Sequence, residues 1–129
     1  MSLPERERGT QGTVLLVDDD PNLRETGAQV LRALGYRVLA ARDGPEALRL
    51  YRQEGPVDLV LLDYYLPDHT GGEVAAALKS LDPRVKVLLL SGGVGLPAAG
   101  TLGVIQKPFR MAELARRITA ALQPSDPGG

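Results

Sequence analysis

The sequence predicts an α/β protein in which a parallel sheet is covered by helices on both faces. Three observations carry that expectation. Short, unbroken apolar runs alternate with helical patterns along the chain. The strongest runs are apolar at every position, as strands buried on both faces must be. The intervening segments carry helix punctuation at their ends.

The elements follow in order. Val14-Leu15-Leu16-Val17 is the first strand. Asp20 then caps a helix whose first position is Pro21. Leu23, Gly27, Val30, Leu31 and Leu34 form its inward face, and Gly35 stops it. Residues 37–41 read as a weaker second strand. Asp43-Gly44-Pro45 opens a second helix running to about Gln53. Leu59-Val60-Leu61-Leu62 is the third strand, followed by a helix over residues 71–81 with Val74, Ala77, Leu78 and Leu81 inward. Val87-Leu88-Leu89-Leu90 is the fourth strand and residues 102–106 a weaker fifth. Met111, Leu114, Ala115, Ile118 and Leu122 recur at helical spacing and make the last helix. Parallel strands joined by crossover helices make a doubly wound sandwich. The domain spans residues 13–122, with a flexible N-terminal arm at 1–12 and a flexible C-terminal tail at 123–129.

Composition narrows the function. Of 129 residues, 43% are hydrophobic but only 4% aromatic, so one aliphatic core is expected. A net charge of -1 draws the chain to neither nucleic acid nor an anionic membrane. The absence of cysteine excludes disulfides, thiolate metal sites and a cysteine nucleophile. No apolar run approaches the roughly 18 residues of a membrane span, and the start lacks the apolar stretch of a signal peptide. A cytoplasmic protein is expected.

In doubly wound sheets, ligands sit beyond the carboxyl ends of the strands. The first strand ends in Asp18-Asp19-Asp20, the third in Asp63, the fourth in Ser91 and the fifth in Lys107-Pro108. Crowded carboxylates at a low-dielectric edge need a cation or must take up protons. The donors are oxygens throughout, which favours a hard ion such as Mg²⁺. Lys107 adds a fixed positive charge and Ser91 a hydroxyl. Together they make a device for holding a phosphoryl group beside a metal, with a carboxylate as covalent acceptor. Asp20 is expected to be the helix cap alone, and His69 an exposed loop residue. Tyr64 and Tyr65 flank the site.

These residues resemble the receiver (response regulator) family over residues 13–122. The resemblance rests on Leu16-Val17-Asp18-Asp19-Asp20, on residues 58–67 (DLVLLDYYLP), on Gly71, on Leu90-Ser91-Gly92 and on Lys107-Pro108-Phe109, all in order. It implies a flavodoxin-like five-stranded parallel sheet of order 2-1-3-4-5, an order for which receivers are themselves a standard example. It implies that Asp63 is the phosphoacceptor. Mg²⁺ would be held by Asp19, by Asp63, by Asp18 directly or through water, and by the carbonyl of Tyr65. Ser91 would bind a phosphoryl oxygen, with the small Gly92 leaving access, and Lys107 would pair with the phosphoryl group. The Lys107–Pro108 bond would be cis. The donor would be a histidine kinase or histidine phosphotransfer protein, a homodimer is allowed, and, with no output domain expected, readout would pass to a partner protein. Nucleic acid and membrane are not expected partners.

Two features depart from the family. Val104 stands where receivers often carry an aromatic switch residue. Only fifteen residues separate Ser91 from Lys107, and 92–101 contain four glycines and a proline. A helical crossover takes about ten to twelve residues or more, so helix 4 is expected to be short or missing and the usual output face remodelled. That favours the receiver of a hybrid kinase or a phosphorelay. Two alternatives stand beside this reading. A phosphatase of the haloacid dehalogenase type would use Asp18 and Asp20 as nucleophile and acid, but no second acidic cluster follows Lys107. A pseudo-receiver would bind partners without phosphorylation, which the complete acidic set disfavours.

Overall fold

The structure is a computed structural model that describes residues 11–92 and 100–122. The elements are β1 (Gly12–Val17), α1 (Pro21–Ala33), β2 (Tyr36–Ala41), α2 (Gly44–Glu54), β3 (Leu59–Asp63), α3 (Gly71–Leu81), β4 (Val87–Ser91), β5 (Val104–Gln106) and α4 (Met111–Leu122). All five strands are parallel, in the order β2-β1-β3-β4-β5. This is the doubly wound, flavodoxin-like sheet the sequence implies.

The unbroken apolar runs are explained by burial on both faces. Val14 and Leu16, Leu59 and Leu61, and Leu88 and Leu90 pack with Ala28 and Leu31 of α1 and Leu114 and Ile118 of α4. Leu15 and Val17, Val60 and Leu62, and Val87 and Leu89 pack on the opposite face with Ala47 of α2 and Val74 and Leu78 of α3. Side chains of a strand alternate between faces, so each run feeds two cores at once.

The helix punctuation works as expected. The Asp20 carboxylate accepts from Asn22 N at 2.9 Å, and Asp43 accepts from Glu46 N at 2.9 Å. Gly35, at φ +99°, takes the left-handed turn that ends α1. The start of α3 adds a reciprocal cap beyond those expected. Thr70 Oγ1 accepts from Glu73 N, and Glu73 accepts from Thr70 N in return.

Several expectations need correction. Leu34 and Leu81, expected to face inward, are 40% and 42% exposed. Leu34 caps the end of α1 and Leu81 is the last residue of α3, where the helical repeat no longer fixes which face is covered. β1 begins at Gly12, inside the expected arm, because Gln11 N bonds to Gly35 O and Asp58 accepts from Thr13 N. β5 has only three residues, although Leu102 N still bonds to Val87 O. The expected short or missing helix 4 falls largely on residues 93–99, which lie outside the described residues, as do residues 1–10 of the arm and the tail at 123–129.

Leu78 and Leu81 lie on the same helix but differ in burial, 0% against 42% exposed. Leu78→Ala should cost about 2–5 kcal/mol of unfolding free energy in urea, the range for a buried leucine, and Leu81→Ala less than about 1. Equal losses would contradict the packing described here.

Candidate functional site

The register of the sheet assembles the site. Val17 pairs with Leu62, Asp63 with Leu90, and Ser91 with Gln106. The carboxyl ends of β1, β3, β4 and β5 therefore meet at one edge. The turn after β1 delivers Asp18 and Asp19, β3 ends in Asp63, β4 in Ser91, and Lys107 follows β5.

Asp18 is fully buried. One carboxylate oxygen accepts from Asp20 N at 2.9 Å and the other from Lys107 Nζ at 3.1 Å. Asp63 is 5% exposed. Its Oδ1 accepts from Tyr65 N at 3.3 Å and lies 3.5 Å from Lys107 Nζ. Lys107 thus bridges two buried acids from different strands. Asp19 is exposed, yet its carboxylate comes into the same cluster: oxygens of Asp18, Asp19 and Asp63 all lie within 4.8 Å of one another. Ser91 is fully buried at the end of β4, and its carbonyl accepts from Lys107 N at 2.7 Å. That bond ties the Lys107 backbone directly to the strand carrying the hydroxyl. The Lys107–Pro108 peptide is cis.

The charges explain the titration behaviour. Burial, reinforced by the neighbouring Asp18 charge, pushes the Asp63 carboxyl up to about 6, against the opposing pull of Lys107 and the Tyr65 N–H. Burial works against the Lys107 ammonium, but Asp18 and Asp63 outweigh it, and its pKa lies above the ordinary lysine value. Lys107 is therefore a permanent cation here.

The cluster fits a hard divalent ion. Its donors are carboxylate oxygens without nitrogen or sulfur. Ligands at about 2.1 Å in an octahedron stand about 3–4.2 Å apart, so the three acids need draw in only slightly. Both oxygens of Asp18 already hold partners, which suits it to binding through a water. What the arrangement offers chemically is a buried carboxylate, a fixed ammonium, a hydroxyl and a cluster of acids suited to a cation.

The loop after β3 is shaped by a close approach that the sequence only marked as a glycine. A Cβ at Gly71 would stand 2.7 Å from Tyr64 Cα and 2.9 Å from the Asp63 carbonyl oxygen. Gly71 N donates to Tyr64 O, and Tyr65 bridges Thr70. Glycine thus lets the start of α3 pack directly against the loop that follows Asp63. Among the described residues, a Cβ at Gly92 would meet nothing within 4 Å. His69 is exposed, Tyr65 is 58% exposed, and the Tyr64 and Tyr65 rings meet edge to face at 5.1 Å. Val104 is partly buried against the core shared with Leu89. Sequence reading missed Arg24, whose Nη1 donates to the Asp18 carbonyl at 2.8 Å.

The family profile described as the response regulator receiver domain matches residues 14–119. The chain belongs to this family. Receiver domains are signalling modules of two-component systems that accept phosphate from histidine kinases, and the family implies phosphorylation on an aspartate with Mg²⁺. The chain is 38% identical over 125 residues to the probable transcriptional regulatory protein TcrX of Mycobacterium tuberculosis, covering 92% of this chain and 53% of that protein. It is 33% identical over 121 residues to the sensor kinase CckA of Brucella abortus, covering 88% of this chain and 13% of that kinase. The receiver thus spans about half, or much less, of the curated relatives it matches. Among solved structures, a CheY-like receiver domain protein from Methanospirillum hungatei superposes with a TM-score of 0.81 at 29% identity, covering 86% of this chain and 93% of that one. The receiver domain of the hybrid histidine kinase CckA gives 0.78 at 32% identity, covering 87% and 100%.

Relatives named as transcriptional or DNA-binding regulators do not fit the expectation that nucleic acid is no partner. That expectation came from the charge of these 129 residues, which says nothing of a DNA-binding domain elsewhere in a longer protein. Among the described residues, no helix is long and apolar enough to cross a membrane.

The raised Asp63 pKa has a consequence for stability. An acid whose folded pKa is raised stabilises the fold below its unfolded pKa, and that stabilisation is lost as pH rises through about 6. In EDTA, Asp63→Asn should therefore be more stable than the wild type at pH 7.5 by on the order of 1–3 kcal/mol. The gap should shrink toward pH 4.5. A gap that stays constant in urea unfolding across this range would show that Asp63 is not a strained, buried carboxylate.

Proposed function

We propose that this receiver accepts a phosphoryl group on Asp63, with Mg²⁺ seated by Asp18, Asp19 and Asp63 and by the carbonyl of Tyr65. The observation that carries this reading is the bridge of Lys107 between Asp18 and Asp63 at 3.1 and 3.5 Å, within the three-carboxylate cluster. An Asp63 oxygen attacks the phosphorus of a donor phosphohistidine. The P–N bond breaks, and its electrons leave with the imidazole nitrogen. Lys107 keeps its proton and turns from the two carboxylates toward a phosphoryl oxygen. Ser91 directs its hydroxyl to another. Bound Mg²⁺ supplies the remaining positive charge against the phosphoryl oxygens. Water attack on the same acyl phosphate returns the domain to its resting state. Beyond this self-modification, the domain is a signalling module and not an enzyme.

The donor is a histidine kinase or histidine phosphotransfer protein. A cleft of about 380 Å³, lined by Asp20, Leu23, Lys107, Pro108, Phe109 and Met111, opens beside the ammonium and gives the donor a surface to approach. The functional domain is residues 13–122, extended by Gly12, working in the cytoplasm alone or as a homodimer and signalling to a partner protein. The match to a hybrid kinase and the short connection after β4 favour a phosphorelay or hybrid-kinase setting, with a larger response regulator as the other context. The phosphatase alternative loses support. Asp18 is fully buried with both oxygens engaged, and Asp20 is occupied as the cap of α1.

Acetyl phosphate with Mg²⁺ tests this. Intact-mass analysis should show one phosphoryl adduct on the wild type, none on Asp63→Asn and none in EDTA. Lys107→Ala should slow labelling by about 10²-fold, the scale for losing one charge-stabilising donor. Labelling of Asp63→Asn equal to the wild type would overturn the assignment.

A further inference from the structure

The three carboxylates of the cluster are not equally held. Asp18 is fixed by Asp20 N and Lys107, and Asp63 by Tyr65 N and Lys107. Asp19 is exposed, and among the described residues its carboxylate accepts no hydrogen bond. What limits Asp19 is therefore its backbone. The peptide unit entering it carries the Asp18 carbonyl, and Arg24 Nη1 donates to that oxygen at 2.8 Å from the first turns of α1. On the other side of Asp18, its N–H donates to Ala41 O at 3.0 Å. The two bonds clamp Asp18 between β2 and α1 and set the plane of the next peptide.

The guanidinium is spent on a neutral carbonyl. Among the described residues, no carboxylate oxygen comes within 4.0 Å of an Arg24 nitrogen. Its charge alone opposes a cation in the cluster, whereas its hydrogen bond orders the turn that brings the third acid in. The two effects have opposite signs, which makes them separable.

We propose that Arg24 is a positioning residue for the metal seat, acting through the Asp18 carbonyl to hold the Asp18–Asp19 peptide so that the Asp19 carboxylate enters the cluster already oriented. The inference rests on reading the cluster as the Mg²⁺ site. Preorganisation of a ligand lowers the ordering cost of binding. Outer partners of metal ligands commonly matter by roughly 10–100-fold in affinity.

Calorimetric titration with Mg²⁺ at fixed ionic strength tests it, with urea unfolding in EDTA as the measure of the fold. Arg24→Ala should weaken Mg²⁺ binding roughly tenfold, while the maximal rate of acetyl phosphate labelling at saturating Mg²⁺ is kept. Arg24→Lys, which can still donate to the carbonyl, should recover part of the affinity. In an Asp19→Asn background, Arg24→Ala should lose most of its effect, which a merely structural role would not produce. If Arg24→Ala does not fold, Arg24→Met keeps the aliphatic stem and carries the same expectation. Unchanged or tighter Mg²⁺ binding in a folded Arg24 variant would overturn the positioning role while leaving the metal site intact. No Mg²⁺ uptake by the wild type would overturn both.

Discussion

Lys107 sits between two buried carboxylates, and the rest of the site depends on that one cation. Asp18 is fully buried and Asp63 nearly so. Two such charges side by side in a low-dielectric edge would repel strongly without a counter-charge. The ammonium answers both, at 3.1 Å and 3.5 Å. Removing the ammonium would leave both carboxylates without their counter-charge, a change that typically costs several kcal/mol. In the proposed role, a carboxylate held at the margin of ionisation, beside a cation that does not give up its proton, would receive a group that brings new negative charge with it.

The pairing of Lys107 with Asp18 spans 89 residues of sequence. It exists only when β5 has joined β4 and β4 has joined β3 in parallel register. The site is thus a product of the completed sheet. The aliphatic packing of both faces supplies the rigidity. Every residue of β3 and β4 is buried, so Asp63 and Ser91 stand at the ends of strands that have little freedom to shift. The bond from Lys107 N to Ser91 O links the last two parts.

Much of this was legible in the sequence because its signals are local or repetitive. The unbroken runs of β1, β3 and β4 announced strands buried on both faces. Asp20-Pro21 and Asp43-Gly44-Pro45 marked helix starts through side-chain caps. The site residues were legible because each closes a different strand. What escaped depends on distance and angle. Helical periodicity alone could not show that burial stops short of Leu34 and Leu81, at the helix ends. The Thr70–Glu73 capping box is legible as a T-x-x-E pattern, although the two intervening glycines weaken the helix signal. Apolar Leu102 suggests a longer β5, yet it is 49% exposed. Gly71 stood out as a motif residue, but its reason, backbone packing against backbone, appears only in three dimensions. Arg24 carries no pattern at all; its bond to the Asp18 carbonyl forms only once α1 has packed beside β1.

The most direct test is a crystal structure of the chain with Mg²⁺ and beryllofluoride, a stable mimic of the phosphoryl group. The account predicts beryllium bonded to an Asp63 oxygen, fluorides facing Lys107 and Ser91, and the metal among Asp18, Asp19 and Asp63. Beryllofluoride seated on another residue, or a metal bound away from this edge of the sheet, would contradict it.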